Sequence, residues 1–192
     1  MSSLRKPRFT SEQYLEMERS APYKSEYLHG EIFAMAGASR AHNRISTNVA
    51  AALTVLLRGE PCEAFSNDMR VQVNESGMYT YPDIVVVCGE PQFRDEAEDT
   101  LLNPTVIVEV LSRSTEAYDR GEKFAWYSRL DSLCDYLLIA QDRYRAEQFV
   151  RQPDHQWLAT EATAPDAVLH LSSLGCDLLL SEVYDKVVFR RE

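Results

Sequence analysis

The sequence of 192 residues has little of what marks specialised protein classes. It contains only 7 glycines and 8 prolines, which excludes collagen-like and other low-complexity chains. Its apolar runs last only a few residues, far fewer than a membrane span requires. The first residues also lack the apolar segment of a signal peptide. We therefore expect a globular, cytoplasmic protein that does not bind membranes.

An excess of basic side chains is also missing. Lysine and arginine together number 20, against 30 aspartates and glutamates, and the formal net charge is −10. Proteins that coat nucleic acids without specificity carry the opposite balance, because they neutralise phosphates. Any nucleic-acid site in this chain must therefore be local, or must use a divalent metal ion to offset the phosphate charge.

Cysteine is sparse and scattered. Cys62, Cys88, Cys134 and Cys176 form no CxxC pair, and no histidine stands at a spacing typical of zinc sites. We interpret all four as reduced cytosolic thiols, since disulfides are rare in that compartment.

The length and the pattern of apolar residues predict one domain over residues 1–192. Its core is expected over about residues 25–150, with an N-terminal helix before it and a C-terminal extension after it. The fold class is α/β (α+β), with one central mixed sheet flanked by helices. The predicted strands are a half-buried one through Met69, Val71 and Val73, and others at 79–88, 105–111, 135–140 and 144–150.

Local signals place the remaining elements. Thr10 and Gln13 form a capping-box pattern at the start of a short helix. Residues 25–36 predict a hairpin, residues 41–57 predict the clearest helix, and residues 115–129 predict another. Near the C-terminus, the apolar run 178–180 predicts a short helix and residues 187–189 a final strand.

Two carboxylates stand in unusually apolar surroundings. Asp83 opens the run Ile84-Val85-Val86-Val87, and Glu109 lies inside the run Val106–Leu111. Burying an ionised carboxylate costs several kcal/mol unless a cation or hydrogen bonds compensate. If the two strands are neighbours, both carboxylates converge on one point, where a divalent metal ion can compensate them.

The chain also supplies a cation of its own. Lys123 lies on the helix after the third strand, with Asp119 four residues before it on the same helical face. Lys123 could therefore form a buried salt bridge to Asp83 or Glu109 with a purely structural role. Considered one by one, these residues are compatible with a metal site and equally with a structural salt bridge.

The order of these residues along the chain resembles that of a known protein superfamily. Pro82-Asp83 on one strand followed by Glu109-Val110-Leu111 on the next resembles the core of PD-(D/E)XK nucleases. The sequence is more closely similar to the Uma-type family of restriction endonucleases within that superfamily. The matching pieces cover roughly residues 10–150: Glu26–Ile32, His42, Tyr81–Ile84, Val108–Ser112, Ser114-Thr115, Asp119, Lys123, Tyr127 and Asp135–Leu137.

One position departs from the superfamily pattern. The third residue of the (D/E)XK triplet is Leu111 rather than lysine. In the Uma-type pattern the lysine stands on the following helix, where this chain has Lys123. A lysine stem can span the distance if that helix packs back over the sheet.

The resemblance implies metal-dependent cleavage of phosphodiester bonds in DNA. Asp83 and Glu109, aided by the Val110 carbonyl, would bind Mg²⁺ or Mn²⁺, and Lys123 would orient the attacking water or stabilise the transition state. His42 and Glu31 are further candidates. A hydrogen-bonded core histidine explains His42 equally well. Glu31 beside the hairpin turn is more often a solvated strand residue, and Glu26 is interpreted in the same way.

Two interpretations of the whole chain remain. The first is a nuclease that acts on DNA as a homodimer, since a duplex has two strands to cut. The second is a catalytically inactive relative that keeps the fold as a nucleic-acid-binding or protein-interaction module. The net charge and Leu111 favour the second interpretation, whereas Asp83, Glu109 and Lys123 favour the first.

Overall fold

The computed structural model describes residues 7–74 and 77–189. Within them the chain forms three sheets and a few helices, which confirms the predicted mixed α+β class. The expectation of a single central sheet is wrong, because a five-stranded and a two-stranded sheet accompany the central six-stranded one. Across these residues we find no helix with both the length and the apolar character needed to cross a membrane.

The helical and extended segments follow one another along the chain with short connections. The helices are α1 (Ser11–Ser20), α2 (Arg40–Leu56), α3 (Glu116–Tyr118), α4 (Phe124–Tyr127) and α5 (Leu180–Val183), and a π-helical turn, Asp119–Lys123, joins α3 to α4. The strands are β1 (Ser25–Leu28), β2 (Glu31–Ala34), β3 (Cys62–Ser66), β4 (Arg70–Gln72), β5 (Met78–Thr80), β6 (Ile84–Cys88), β7 (Thr100–Leu101), β8 (Val106–Leu111), β9 (Asp135–Ala140), β10 (Ala146–Arg151), β11 (Trp157–Ala162), β12 (Val168–Leu171) and β13 (Cys176–Leu179).

The six-stranded sheet has the order β11-β10-β9-β8-β6-β3. Its strands are antiparallel except for β8 and β9, which run parallel. All six residues of β8 are buried, as predicted for a central strand. One face packs against α2, α5 and the β12–β13 hairpin, and the other packs against the five-stranded sheet and the α3–α4 segment.

The predicted strand at 79–88 is wrong as a single element. Its first part, β5, belongs to the five-stranded sheet of order β2-β1-β5-β4-β7, and its second part, β6, belongs to the central sheet. Pro82 lies at the break, where its missing N–H cannot continue a ladder. The break leaves Asp83 at the entrance of β6.

The prediction that β4 is half-buried is also wrong. Arg70 and Gln72 are as deeply buried as Val71 between them, because β4 lies between β5 and β7 and both of its faces are covered. The alternation of polar and apolar residues was a misleading signal here, since the guanidinium of Arg70 is buried with partners of its own in Tyr81 and Asp99.

Most of the predicted helices and the hairpin are confirmed. Thr10 and Gln13 form the capping box of α1, and Ser39 caps α2. The predicted helix at 115–129 is present from Glu116 to Tyr127, but its middle turn is π-helical. The β1–β2 hairpin turns at His29-Gly30, where both residues have positive φ.

The C-terminal predictions hold only in part. Leu178 and Leu179 belong to β13, because they pair with β12, and the short helix begins only at Leu180. Residues 187–189 form no strand. Strand β11 extends the central sheet, and α5 with β12 and β13 covers one face of it.

The interpretation of all four cysteines as reduced thiols is wrong for two of them. Cys62 and Cys88 form a disulfide, because the antiparallel register of β3 and β6 sets them directly opposite each other, with their Cα atoms 4.0 Å apart. No strand is predicted at residues 62–66, so no local pattern indicates that these two cysteines pair. Cys134 and Cys176 are free.

Candidate active site

Two neighbouring antiparallel strands bring the isolated carboxylates together. The register of β6 and β8 pairs Ile84 with Val108. Continued by one residue, it sets Asp83 across from Glu109. Alternate residues of these strands point to the same face, and their neighbours Val85 and Ile107 lie in the core beneath the five-stranded sheet. Asp83 and Glu109 therefore lie on that side of the central sheet.

Asp83 is held at the end of β6 by two contacts. Its Oδ1 lies 2.8 Å from Nε2 of His42, and its Oδ2 accepts a hydrogen bond of 2.7 Å from the backbone N–H of Val110. The N–H and C=O groups of one strand residue point to the same side, so the Val110 carbonyl also opens toward Asp83. The structure thus brings His42, Asp83 and Val110 together at one end of the sheet.

Glu109 is buried and has two donors. Its Oε1 lies 2.9 Å from Nζ of Lys123 and accepts a hydrogen bond of 2.9 Å from the hydroxyl of Tyr127. Burial raises the pKa of Glu109 to about 8, although the charge of Lys123 opposes the rise. The negative charges of Asp119 and Asp83 add to it. Burial therefore makes the negative charge of this carboxylate costly, and the charge of Lys123 offsets that cost in part.

Lys123 faces three carboxylates at once. Besides Glu109, its Nζ lies 3.2 Å from Glu26 and 3.6 Å from Asp119. Burial alone would lower the pKa of Lys123, but these carboxylates outweigh it and raise the pKa well above its usual value. The lysine is therefore a fixed cation in a region where negative side chains are in excess.

The π-helical turn brings Lys123 and Asp119 to the same buried face. Both side chains are almost inaccessible, as is Tyr127 one turn further on. Burial raises the pKa of Asp119 as well. Single π-helical turns inside α-helices are frequent at functional sites. Sequence patterns predict a helix here but do not distinguish the π-helical turn from the α-helix around it.

The sequence reasoning missed Glu26. This residue lies on β1, and its carboxylate accepts a hydrogen bond from Thr80 in addition to its ion pair with Lys123. It had been interpreted as a solvated strand residue, and that interpretation is wrong. Glu31, the hairpin residue predicted for the site, is paired with Leu28 on the same face of the hairpin as Glu26. The described ion pairs of Lys123 involve Glu26 rather than Glu31.

The oxygen donors at this point match what a hard divalent cation prefers. Two carboxylates, Asp83 and Glu109, and the Val110 carbonyl are ligands typical of Mg²⁺. In the part of the chain that the structure describes, no group of three or more His, Cys, Asp or Glu side chains is arranged to enclose a metal ion. Mg²⁺ does not require such a cage, because it usually keeps several waters and binds through one or two carboxylates and the substrate phosphate.

Comparisons with known proteins identify the family of the chain. Residues 11–181 match the model of the Uma2 family, described as "Putative restriction endonuclease". Two proteins of Synechocystis sp. (strain ATCC 27184 / PCC 6803 / Kazusa) are similar over most of their length. The uncharacterized protein sll1609 is 40% identical over 163 residues, covering 85% of this chain and 92% of its own. The uncharacterized protein slr1290 is 35% identical over 183 residues, covering 95% of each.

A solved structure shares the fold. The crystal structure of a putative nuclease belonging to DUF820 from Anabaena variabilis ATCC 29413 superposes with a TM-score of 0.77. The match covers 94% of this chain and 99% of that one, at 18% sequence identity. The resemblance read from the sequence is confirmed by the family match, which covers most of the chain, and the chain belongs to the Uma2 family.

Proposed function

We propose that this protein is a metal-dependent endonuclease that hydrolyses phosphodiester bonds of DNA. The description of its family and that of the Anabaena variabilis structure support nuclease chemistry in general. The dependence on Mg²⁺ or Mn²⁺ and the choice of DNA come from the superfamily resemblance and from the chemistry of the buried residues.

One observation carries the proposal. Asp83 and Glu109 lie across from each other on two neighbouring strands. Beside them is the buried Lys123, whose ammonium is already shared among several carboxylates. A structural ion pair would need one acid for one lysine. Here Glu109, Glu26 and Asp119 lie 2.9, 3.2 and 3.6 Å from the one ammonium of Lys123, and Asp83 adds a fourth acid across from Glu109. A bound cation would relieve this repulsion.

In this proposal Asp83, Glu109 and the Val110 carbonyl hold the metal ion. When bound, the ion would supply Lewis-acid activation of a water molecule and neutralise charge on the scissile phosphate. The Val110 N–H and the imidazole of His42 fix the orientation of the Asp83 carboxylate. Tyr127 does the same for Glu109. These supports hold the two carboxylates in place before any ligand arrives.

Lys123 is proposed to stabilise the transition state or orient the attacking water. An ammonium has three N–H donors. Glu109 and Glu26 lie at hydrogen-bond or ion-pair distance from it, whereas Asp119 at 3.6 Å is beyond a normal hydrogen bond. The third N–H of the ammonium is therefore only weakly bound. It can donate a hydrogen bond to a phosphate or water oxygen instead.

His42, Glu26 and Glu31 complete the proposed site. His42 positions Asp83, and Glu26 positions Lys123. Glu31 remains a prediction as a further catalytic residue, on the strength of the hairpin face that it shares with Glu26. The homodimer and the cytoplasmic location also remain predictions, which light scattering and fractionation of the host cell would test.

The test of the proposed function is cleavage of supercoiled plasmid DNA by the purified protein with Mg²⁺, with Mn²⁺ and with EDTA. We expect nicked and linear products only with a divalent ion, and none from Asp83→Ala. A wild-type protein that cuts nothing with either ion would favour the inactive relative that keeps the fold as a binding module. Leu111 in place of the triplet lysine is the feature that favours this second function.

A further inference from the structure

A groove next to the candidate site carries the opposite charge from the rest of the molecule. It lies where the C-terminal ends of β8 and β9 meet the first turns of α2, and its volume is about 770 Å³. Its lining includes four cationic side chains, namely Arg40, Arg44, Arg113 and Lys186. We call it the arginine groove. In a chain of net charge −10, this concentration of basic residues is local.

The acidic residues of the arginine groove do not neutralise these cations. Glu116 pairs with Arg120 at 2.9 Å, and Asp142 pairs with Arg143 at 3.4 Å. Neither Arg120 nor Arg143 lines the groove. Each of the two acids therefore has a partner elsewhere, and neither is a partner of Arg40 or Arg44.

Arg40 and Arg44 are exposed and have no hydrogen bond or ion pair within residues 7–74 and 77–189. They lie four residues apart on one face of α2, where like charges repel. Arg40 also stands in the first turn of the helix, which contains no acidic residue, so its charge opposes the helix dipole. Both arginines therefore lower the stability of α2, and an anion bound between them would offset that cost.

The arginine groove and the candidate active site share two elements, α2 and the C-terminal end of β8. His42, whose imidazole contacts Asp83, lies two residues from each arginine, so its side chain leaves α2 on the side opposite to Arg40 and Arg44. Leu111 and Ser112 line the groove and follow Val110, whose N–H binds Asp83, directly along the chain. A linear polyanion bound at the candidate site would therefore meet the groove next.

We infer that the arginine groove binds the phosphate backbone of the DNA strand beside the scissile bond, with Arg40 and Arg44 as phosphate contacts. This inference rests on the proposed function, and it adds the residues that hold the substrate. Negative charge over the rest of the surface repels DNA, so the groove focuses the approach of the backbone onto this one region. The planar guanidinium of arginine matches the geometry of phosphate oxygens.

The test compares the double variant Arg40→Gln/Arg44→Gln with Arg58→Gln/Arg129→Gln. The second pair removes the same charge from exposed positions outside the groove. Binding of a short fluorescein-labelled DNA duplex is measured by anisotropy at several salt concentrations without divalent metal. Cleavage of the same duplex with Mg²⁺ or Mn²⁺ gives kcat and KM, and thermal melting verifies that each variant folds.

We expect the groove variant to bind about tenfold more weakly and to reduce the slope of log K against log salt by about 2, one for each lost phosphate contact. Its loss in kcat/KM should come mainly through KM. The control variant should match the wild type in binding and cleavage. The groove variant should melt at or above the wild-type temperature, because a repulsion has been removed.

Equal affinity and equal salt slope in the two double variants would overturn the inference. If the wild type cuts DNA in that case, the proposed function stands without the groove. If the wild type binds DNA through Arg40 and Arg44 but cuts nothing, the inference stands and the proposed function fails. A wild type that neither binds nor cuts the duplex overturns both.

Discussion

The protein buries charged side chains in two regions, and it treats them differently. In the N-terminal region, Glu18 of α1 accepts hydrogen bonds from the backbone and the hydroxyl of Ser25 and from the hydroxyl of Tyr81. Arg70 donates to the same Tyr81 hydroxyl and pairs with Asp99. We call these five residues the N-terminal network. Each of its two acids accepts several hydrogen bonds, three for Glu18 and others from Arg19, Arg70 and Thr100 for Asp99.

The candidate site has the reverse balance. Glu26, Glu109 and Asp119 share one ammonium, that of Lys123, and Asp83 adds a further acid beside Glu109. In the N-terminal network, hydrogen bonds and an ion pair within the protein offset the cost of burying charged side chains. In the candidate site, one lysine offsets that cost only in part. Such incomplete compensation is typical of sites that bind a charged ligand. The difference between the two regions is therefore the reason to assign structure to one and chemistry to the other.

The largest expected effect on folding comes from breaking the N-terminal network. Glu18→Ala leaves the Ser25 N–H and the Tyr81 hydroxyl without their acceptor in a buried place. We expect the free energy of unfolding to fall by about 3 kcal/mol in urea denaturation, since hydrogen bonds to charged groups are the costly ones to lose. Glu16→Ala on the exposed side of the same helix is the matched control and should change it little. Equal effects of the two changes would refute the network.

The next effect sharpens the comparison at the site. If Asp83 and Glu109 form a metal site, Mn²⁺ at about a hundred times its Kd should stabilise the folded state by about 2.7 kcal/mol. Asp83→Asn should abolish this stabilisation, while its amide keeps partners in His42 and the Val110 N–H. Thermal melting with and without Mn²⁺ measures both. An undiminished response in Asp83→Asn would place the metal elsewhere.

The two regions should also respond to pH with opposite signs. Hydrogen bonds from Arg19 lower the pKa of Asp99 from 3.8 to about 2, so its contribution to stability is present above pH 3.8 and is lost as the pH falls toward 2. Burial raises the pKa of Glu109 from 4.5 to about 8, so its contribution is present below pH 4.5 and is lost as the pH rises toward 8. The two carboxylates therefore act in separate pH windows.

Urea denaturation across the pH range separates these two contributions. Asp99→Asn should flatten the acidic limb of the stability profile, and Glu109→Gln should flatten the fall between about pH 4.5 and pH 8. Each variant serves as the control for the other, because each should leave the other window unchanged. Identical profiles for the wild type and Glu109→Gln would contradict the strained burial of Glu109.

Much of the site could be predicted from the sequence, because its signals are local. An acidic residue inside an apolar strand is conspicuous in any register, which identified Asp83 and Glu109. Lys123 followed from its helix and from the family resemblance. Glu26 was not predicted as a site residue because β1 is short and an acidic residue beside a hairpin turn is usually exposed to solvent. Only the pairing of β1 with β5 brings it near Lys123.

The parts of the fold that were missed depend on contacts between distant strands. Pro82 is a local signal for the break between β5 and β6, but no local pattern assigns the two halves to separate sheets. The Cys62–Cys88 disulfide likewise requires the pairing of β3 with β6, which the sequence does not encode locally. The capping box of α1 and the β1–β2 hairpin were predicted correctly because they involve neighbouring residues.

The central claim is that Glu109 serves chemistry rather than folding, and one variant tests it most directly. Glu109→Gln keeps the shape of the side chain and removes its charge, while Lys123 retains Glu26 and Asp119 as partners. We expect the free energy of unfolding at pH 7 to stay the same or rise, because the neutral amide avoids the cost of ionising a buried carboxylate, and Mg²⁺-dependent plasmid cleavage to fall by about a hundredfold or more. A loss of about 3–5 kcal/mol, the cost of breaking a buried ion pair, together with a wild type that cleaves nothing, would contradict the account.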